Sequence, residues 1–154
     1  PEFNLQLRPL LLAQMRPGSR VVSHEWDMGD WRPDETLIVP SVEKPHGTSR
    51  EHRVMLWWIP APVAGSWRLP VPEVSFTLTQ RLQEVSATAS RGRVLWASLR
   101  GTELAVAWQD DGAARVVLRG QVSGGRWQGD VQRLGQWANT RSGPSAKFSA
   151  LRTG

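Results

Sequence analysis

The sequence predicts an α+β chain that is mostly β, with one helix near its start, a few short strands after it, and an antiparallel β-meander to its end. Three observations predict this class. Apolar residues recur at helical spacing before Pro17-Gly18, a continuously apolar run covers residues 54–59, and apolar residues alternate with polar or small ones from residue 76 onward.

The helix is expected over residues 4–16. Asn4 is a suitable N-cap, and Pro9 is tolerated only near a first turn, so the helix proper is expected to begin near Pro9. Pro17-Gly18 should end it. Its apolar surface is formed by Leu5, Leu7, Leu11, Leu12 and Met15.

Three short strands follow in the prediction, at residues 20–24, 37–39 and 54–59. The third is apolar at every position, which is typical of a strand covered on both faces. The second and third are joined by a polar connection, so we expect them to form a hairpin with a long loop.

From about residue 65 onward we expect sheet and almost no helix. Period-two runs there include Phe76 and Leu78, and a last strand is expected around Phe148. Short strands at regular spacing with tight turns indicate an antiparallel meander with one solvated face. Turn signals separate the runs at Arg91-Gly92, Arg100-Gly101, Asp110-Asp111-Gly112 and Ser123-Gly124-Gly125.

The net charge is +5, which could favour a nucleic-acid partner. All but two of the 19 basic residues are arginines, a bias that a GC-rich coding sequence also produces, and they are scattered singly. We therefore expect a generically basic surface and no nucleic-acid partner. The alternative hypothesis is that the basic residues bind nucleic acid, in which case binding should weaken as the salt concentration rises.

The chain contains no cysteine, which excludes disulfides, thiolate zinc sites and cysteine nucleophiles. It has no apolar stretch of transmembrane length and no secretory signal pattern, so we expect no membrane span and a cytoplasmic location. The sequence starts at Pro1-Glu2 without a methionine, so we interpret it as a processed or cropped product. An exported protein therefore stays an alternative to the cytoplasmic location.

Two segments resemble a bacterial family of class I, S-adenosylmethionine-dependent methyltransferases. The first is Val22-Ser23-His24-Glu25-Trp26-Asp27-Met28-Gly29-Asp30-Trp31, with Trp26 where phenylalanine is usual in the family, and the second runs through residues 57–67 as Trp-Trp-Ile-Pro-Ala-Pro-Val-Ala-Gly-Ser-Trp. The resemblance is specific over residues 1–67 and looser beyond, where a Leu-Thr-Gln-Arg-Leu-Gln run carries it.

The resemblance implies that residues 1–62 are the C-terminal portion of a Rossmann-like methyltransferase domain, with one helix and strands five to seven, and that residues 63–154 are an antiparallel extension. The cofactor would be S-adenosylmethionine. The chain contains no Gly-x-Gly-x-x-Gly motif, so this polypeptide alone is expected to bind the cofactor poorly and to be inactive. A protein lysine is an acceptor suggested by a distant likeness to lysine methyltransferases.

Catalytic candidates are Glu2, Asn4 and His24, which the resemblance places at the carboxyl ends of sheet strands, where ligands bind in open α/β sheets. Asn4 could equally cap the helix, Glu2 could be an exposed loop carboxylate, and His24 could be a base or only a hydrogen-bonded strand end.

Substrate-binding candidates are Asp27, Asp30 and Trp31. The two aspartates could instead bond their own turn, and Trp26 or Trp31 could either pack in the core or face a cationic sulfonium or amine. His24, His46 and His52 lack a metal-ligand spacing, so no metal site is expected.

The competing hypothesis is a β-sheet binding module, in which residues 65–154 recognise a protein or a small apolar ligand through an open pocket or patch. In the methyltransferase hypothesis, the strand at residues 20–24 should expose an unpaired edge. Such an edge invites self-association, so we expect dimers or poor solubility.

Overall fold

The computed structural model describes residues 2–40, 51–135 and 146–154. The chain divides into two compact units, an N-terminal unit of Pro1–Ile59 and a C-terminal unit of Pro60–Gly154. Among the described residues, no helix combines the length and the hydropathy needed to cross a membrane.

Helix α1 spans Glu2–Gln14 and contains Pro9 in its interior. The prediction that Asn4 caps the helix and that regular helix begins near Pro9 is wrong, since Asn4 lies inside the first turns. Pro9 removes one backbone donor without ending the helix. Gly18 lies in the turn between the helix and the next strand and has φ +86°. Its N–H donates to the Ile59 carbonyl.

The N-terminal unit contains a three-stranded sheet formed by β1 (Arg20–His24), β2 (Glu35–Pro40) and β3 (Glu51–Trp58). The spatial order is β1-β3-β2, and both pairings are antiparallel. The strands expected at 20–24, 37–39 and 54–59 are therefore confirmed, and so is the hairpin between the second and third. Among the described strands, β1 pairs only with β3.

The Rossmann-like fold expected from the resemblance is wrong. Every described strand pairing is antiparallel, whereas that fold is built on hydrogen-bonded parallel strands with helices on both faces. The chain is mostly β with a single described helix, and most of its strands belong to a separate, barrel-like antiparallel sheet. Sequence periodicity located the strands but could not fix their partners.

The C-terminal unit is an eight-stranded antiparallel sheet. Its strands are β4 (Gly65–Pro70), β5 (Glu73–Arg81), β6 (Glu84–Ala89), β7 (Arg93–Arg100), β8 (Glu103–Gln109), β9 (Arg115–Ser123), β10 (Arg126–Arg133) and β11 (Ala146–Arg152). The expected last strand around Phe148 is thus confirmed as β11.

The strand order β6-β5-β4-β11-β10-β9-β8-β7 corrects the simple meander. The final strand, β11, lies between β4 and β10 and joins two meanders, while β6 and β7 approach each other and nearly close the sheet. The chain end is held too, because Ser66 N–H donates to the Gly154 carbonyl and Thr153 N–H donates to the Ser66 carbonyl.

Aromatic side chains fill the interior of the C-terminal unit. Trp127 packs edge-on against Phe76 and Phe148, with ring centroids 6.2 and 4.9 Å apart, and Phe76 also meets Trp108 at 5.9 Å. The buried indoles find acceptors: Trp127 Nε1 donates to the Leu104 carbonyl and Trp67 Nε1 to the Val63 carbonyl. This unit therefore has a filled core of its own.

Candidate functional site

The segment at residues 24–31, hereafter the signature loop, begins at the last residue of β1 and is held by helix α1. The Asn4 side-chain amide lies 3.3 Å from Ser23 Oγ and 3.2 Å from the carbonyl oxygens of Trp26 and Asp27, all within hydrogen-bonding distance. Ser23 Oγ itself donates to the Trp26 carbonyl at 2.7 Å. Asn4 therefore fixes the loop to the helix instead of capping the helix.

The next turn of α1 also contacts this loop, through Arg8 of the helix and Gly29 of the loop. The Arg8 guanidinium donates to the Met28 carbonyl and forms an ion pair with Asp30. Gly29 has φ +69°, and a Cβ built there would lie only 2.7 Å from Leu5 Cδ2. Glycine is favoured at this position by the left-handed backbone conformation, and an added Cβ would also displace the end of the Leu5 side chain.

The interior side of the loop is anchored by Met28 and Trp31, which are both buried. Trp31 packs on Trp57 at 6.1 Å, and the Trp57 indole donates to the Trp31 carbonyl at 2.7 Å. The Trp31 ring is thus withdrawn from solvent, and Trp26, which is 53% exposed, presents the accessible indole of the loop.

The other predicted site residues are placed as follows. Glu2 is exposed in the first turn of α1. Asp27 accepts a hydrogen bond from the Gly29 N–H at 3.1 Å, which is an Asx turn, and Asp30 pairs with Arg8. Glu2 stays a catalytic candidate, and Asp27 and Asp30 stay substrate-binding candidates.

A second cluster lies at the end of β1, where His24, Glu25 and His52 meet. His24 Nε2 lies 3.2 Å from His52 Nδ1, His52 Nδ1 lies 3.1 Å from Glu25 Oε1, and His24 Nε2 lies 3.6 Å from the same oxygen. Val54 pairs with His24, so His52 is its diagonal neighbour on the same sheet face.

Glu25 is held in an unusual conformation. It is a non-glycine residue with φ +68°, a region that costs such residues free energy. Its N–H donates to the Arg53 carbonyl at 2.8 Å, and its Oε1 accepts the Arg53 N–H at 3.0 Å. That backbone hydrogen bond, together with the His52 side chain, lowers the pKa of Glu25 below its ordinary value, so its carboxylate is the favoured form.

The sheet face opposite α1 is apolar and exposed. It carries Val22, Leu37 and Val39, whose exposed fractions are 64%, 62% and 39%, together with the half-buried Val54 and Leu56. We call this set the open face. Strand alternation places His24 and His52 at one end of it, because His24 follows Val22 by two residues and His52 precedes Val54 by two.

Sequence reasoning named His24 but missed Glu25 and the pairing of His24 with His52. The two histidines are 28 residues apart, so no local spacing could indicate the cluster. His46, the third histidine, lies outside the described residues.

No protein-family model, curated protein or solved structure matches the chain. The resemblance of the signature loop to methyltransferases therefore stays a hypothesis.

Proposed function

We propose that this chain is the C-terminal part of an S-adenosylmethionine-dependent methyltransferase, and that its signature loop lines the methyl-acceptor side of the site. The cofactor would be held by residues outside this sequence, since the chain carries no Gly-x-Gly-x-x-Gly motif. The proposal concerns function and does not require a parallel sheet within this chain.

The observation that carries the proposal is the position of the signature loop. It begins at His24, the last residue of β1, a strand with one unpaired edge among the described strands, and His24 also lies at one end of the open face. Native proteins usually protect an exposed strand edge, and a large exposed apolar face usually marks a surface that another polypeptide or a ligand covers. Further polypeptide paired with that edge would lie beside the start of the loop, where an acceptor could bind.

The backbone of the signature loop is also held in one conformation by contacts on two sides. Methyl transfer is an in-line displacement, so a methyltransferase mainly aligns the acceptor lone pair with the methyl group. Asn4 and Arg8 fix the loop backbone from one side, and Trp31 fixes it from the interior. The exposed Trp26 ring offers a surface for a cationic acceptor.

The binding-module hypothesis is less well supported. It needs an open apolar pocket or a large exposed apolar patch in the C-terminal unit, but the interior of that unit is occupied by Trp67, Phe76, Trp108, Trp127 and Phe148. Most of the exposed large apolar side chains lie instead in the N-terminal unit, and those of the C-terminal unit are Val71, Trp96 and Leu151 among the described residues. No observation on the C-terminal sheet favours a small-molecule ligand.

The test uses the longest reading frame that contains this sequence. Its product should bind S-adenosylmethionine in a calorimetric titration and transfer radiolabelled methyl groups to a lysine-containing protein mixture, while the 154-residue chain alone should do neither. Within the longer protein, Trp26→Ala should reduce transfer and leave cofactor affinity unchanged.

The matched control is Trp96→Ala, which removes a partly exposed indole from the C-terminal unit and should leave transfer intact. A reading frame that encodes no cofactor-binding segment, or a longer product that does not bind the cofactor, would overturn the proposal.

A further inference from the structure

We propose that His24, Glu25 and His52 form a binding site for one zinc ion, with His24 Nε2, His52 Nδ1 and one carboxylate oxygen of Glu25 as ligands. The inference stands apart from the methyltransferase proposal, because it rests on side-chain geometry within the N-terminal unit alone. It replaces the expectation from sequence spacing that no metal site is present.

The distances between the three ligand atoms match a tetrahedral site. Ligand atoms about 2.0–2.1 Å from a tetrahedral zinc ion lie about 3.3–3.4 Å from one another. The three separations found here are 3.1, 3.2 and 3.6 Å. A single ion can therefore contact all three atoms with small side-chain movements.

The donor set also fits the ion. Two imidazole nitrogens and one carboxylate oxygen are a set that zinc uses in sites where water or substrate takes the fourth position. His24 is 60% exposed at its side chain, whereas Glu25 and His52 are near 37% and 36%. The three atoms thus converge at a place that solvent can reach, which leaves the fourth position open.

The backbone around Glu25 gives independent support. A left-handed, non-glycine residue directly after β1 turns its carboxylate back toward the histidine pair. The Arg53 N–H donates to the same carboxylate and fixes its direction, as outer hydrogen bonds do for metal-ligating carboxylates. Strained backbone of this kind is concentrated at binding and catalytic sites.

The alternative is that the three side chains only form a hydrogen-bonded surface network linking β1 to β3. Such a network would also give short contacts between these atoms. It predicts no saturable metal binding, so a direct titration separates the two.

The experiment is a calorimetric titration of the untagged, chelator-treated full chain with zinc chloride at neutral pH. One zinc ion should bind per chain. His24→Ala, His52→Ala and Glu25→Gln should each weaken binding on the order of 100-fold, because loss of an outer-shell partner alone typically costs 10–100-fold.

Glu25→Gln keeps an oxygen that can accept the Arg53 N–H, so it tests metal binding with little change to the fold. The matched control is Glu51→Gln, a carboxylate next to His52 that strand alternation places on the other sheet face. It should bind zinc as the parent does. Far-UV circular dichroism should show that each variant is folded.

Cobalt(II) gives a second readout. The cobalt-loaded chain should show the intense visible bands of four-coordinate cobalt, and Glu25→Gln should lose them. Absence of saturable zinc binding, or binding that all three ligand variants leave unchanged, would overturn the site.

Discussion

The two units of this chain differ in how far they bury the apolar residues of their strands. In β2, Leu37, Ile38 and Val39 are all exposed, whereas five successive residues of β8, from Leu104 to Trp108, are buried. The C-terminal unit nearly closes its sheet around aromatic side chains, and the three-stranded sheet leaves the open face uncovered. Strand-forming residues are thus not enough to make a core: a sheet also needs a covering layer or closure.

The largest effect should come from the core of the C-terminal unit. Trp127→Ala removes a fully buried indole that packs on Phe76 and Phe148, so it should lower the free energy of unfolding by about 3–5 kcal/mol. Urea denaturation followed by fluorescence measures this. Trp96→Ala, which removes a 43% exposed indole, should cost far less; equal costs for the two would contradict the difference in burial.

The next effect should come from Gly29, where helix and loop approach closely. Gly29→Ala should lower the free energy of unfolding by about 1–2 kcal/mol, because the left-handed backbone opposes a Cβ and the end of the Leu5 side chain must also move away. Gly124→Ala is the matched control: it has φ +57° and open space around the built Cβ, so only the backbone cost of about 1 kcal/mol remains. A thermal melt that gives the same loss for both would argue against close packing of α1 on the loop.

A smaller effect is expected at Asn4. Asn4→Ala should lower the free energy of unfolding by about 1 kcal/mol, since a partly exposed hydrogen-bonding group contributes modestly. Hydrogen exchange should speed up in residues 24–31. Gln6→Ala, at an exposed position of the same helix, should leave that exchange unchanged; faster exchange in both would mean that the helix itself had been weakened.

The smallest effect on stability should come from the open face. Leu37→Lys should change the free energy of unfolding by less than about 0.5 kcal/mol, because the side chain is 62% exposed. It should nevertheless reduce self-association in light scattering, since a charge on an exposed sheet surface opposes association. Leu151→Lys, at a half-exposed position in the C-terminal unit, should not. A parent chain that is monomeric at all concentrations would contradict the expected self-association through the open face.

The amino-acid sequence by itself determined where the helix and most strands lie, because apolar periodicity and turn residues act over a few positions. It also indicated the methyltransferase likeness of residues 22–31, which stays a hypothesis because no family model, curated protein or solved structure matches the chain. Periodicity does not specify strand partners, so the parallel, Rossmann-like sheet was wrong and the place of β11 between β4 and β10 was not foreseen.

Only the tertiary structure decided which side chains meet. The Asn4 side chain bonds to the carbonyls of Trp26 and Asp27, which are 22 and 23 residues later in the sequence. His52 contacts His24, which is 28 residues earlier. These contacts depend on how α1 and β3 pack against β1 and on the left-handed turn at Glu25. Pairing between distant segments is set by the packing of whole elements, and no local pattern of residues encodes it.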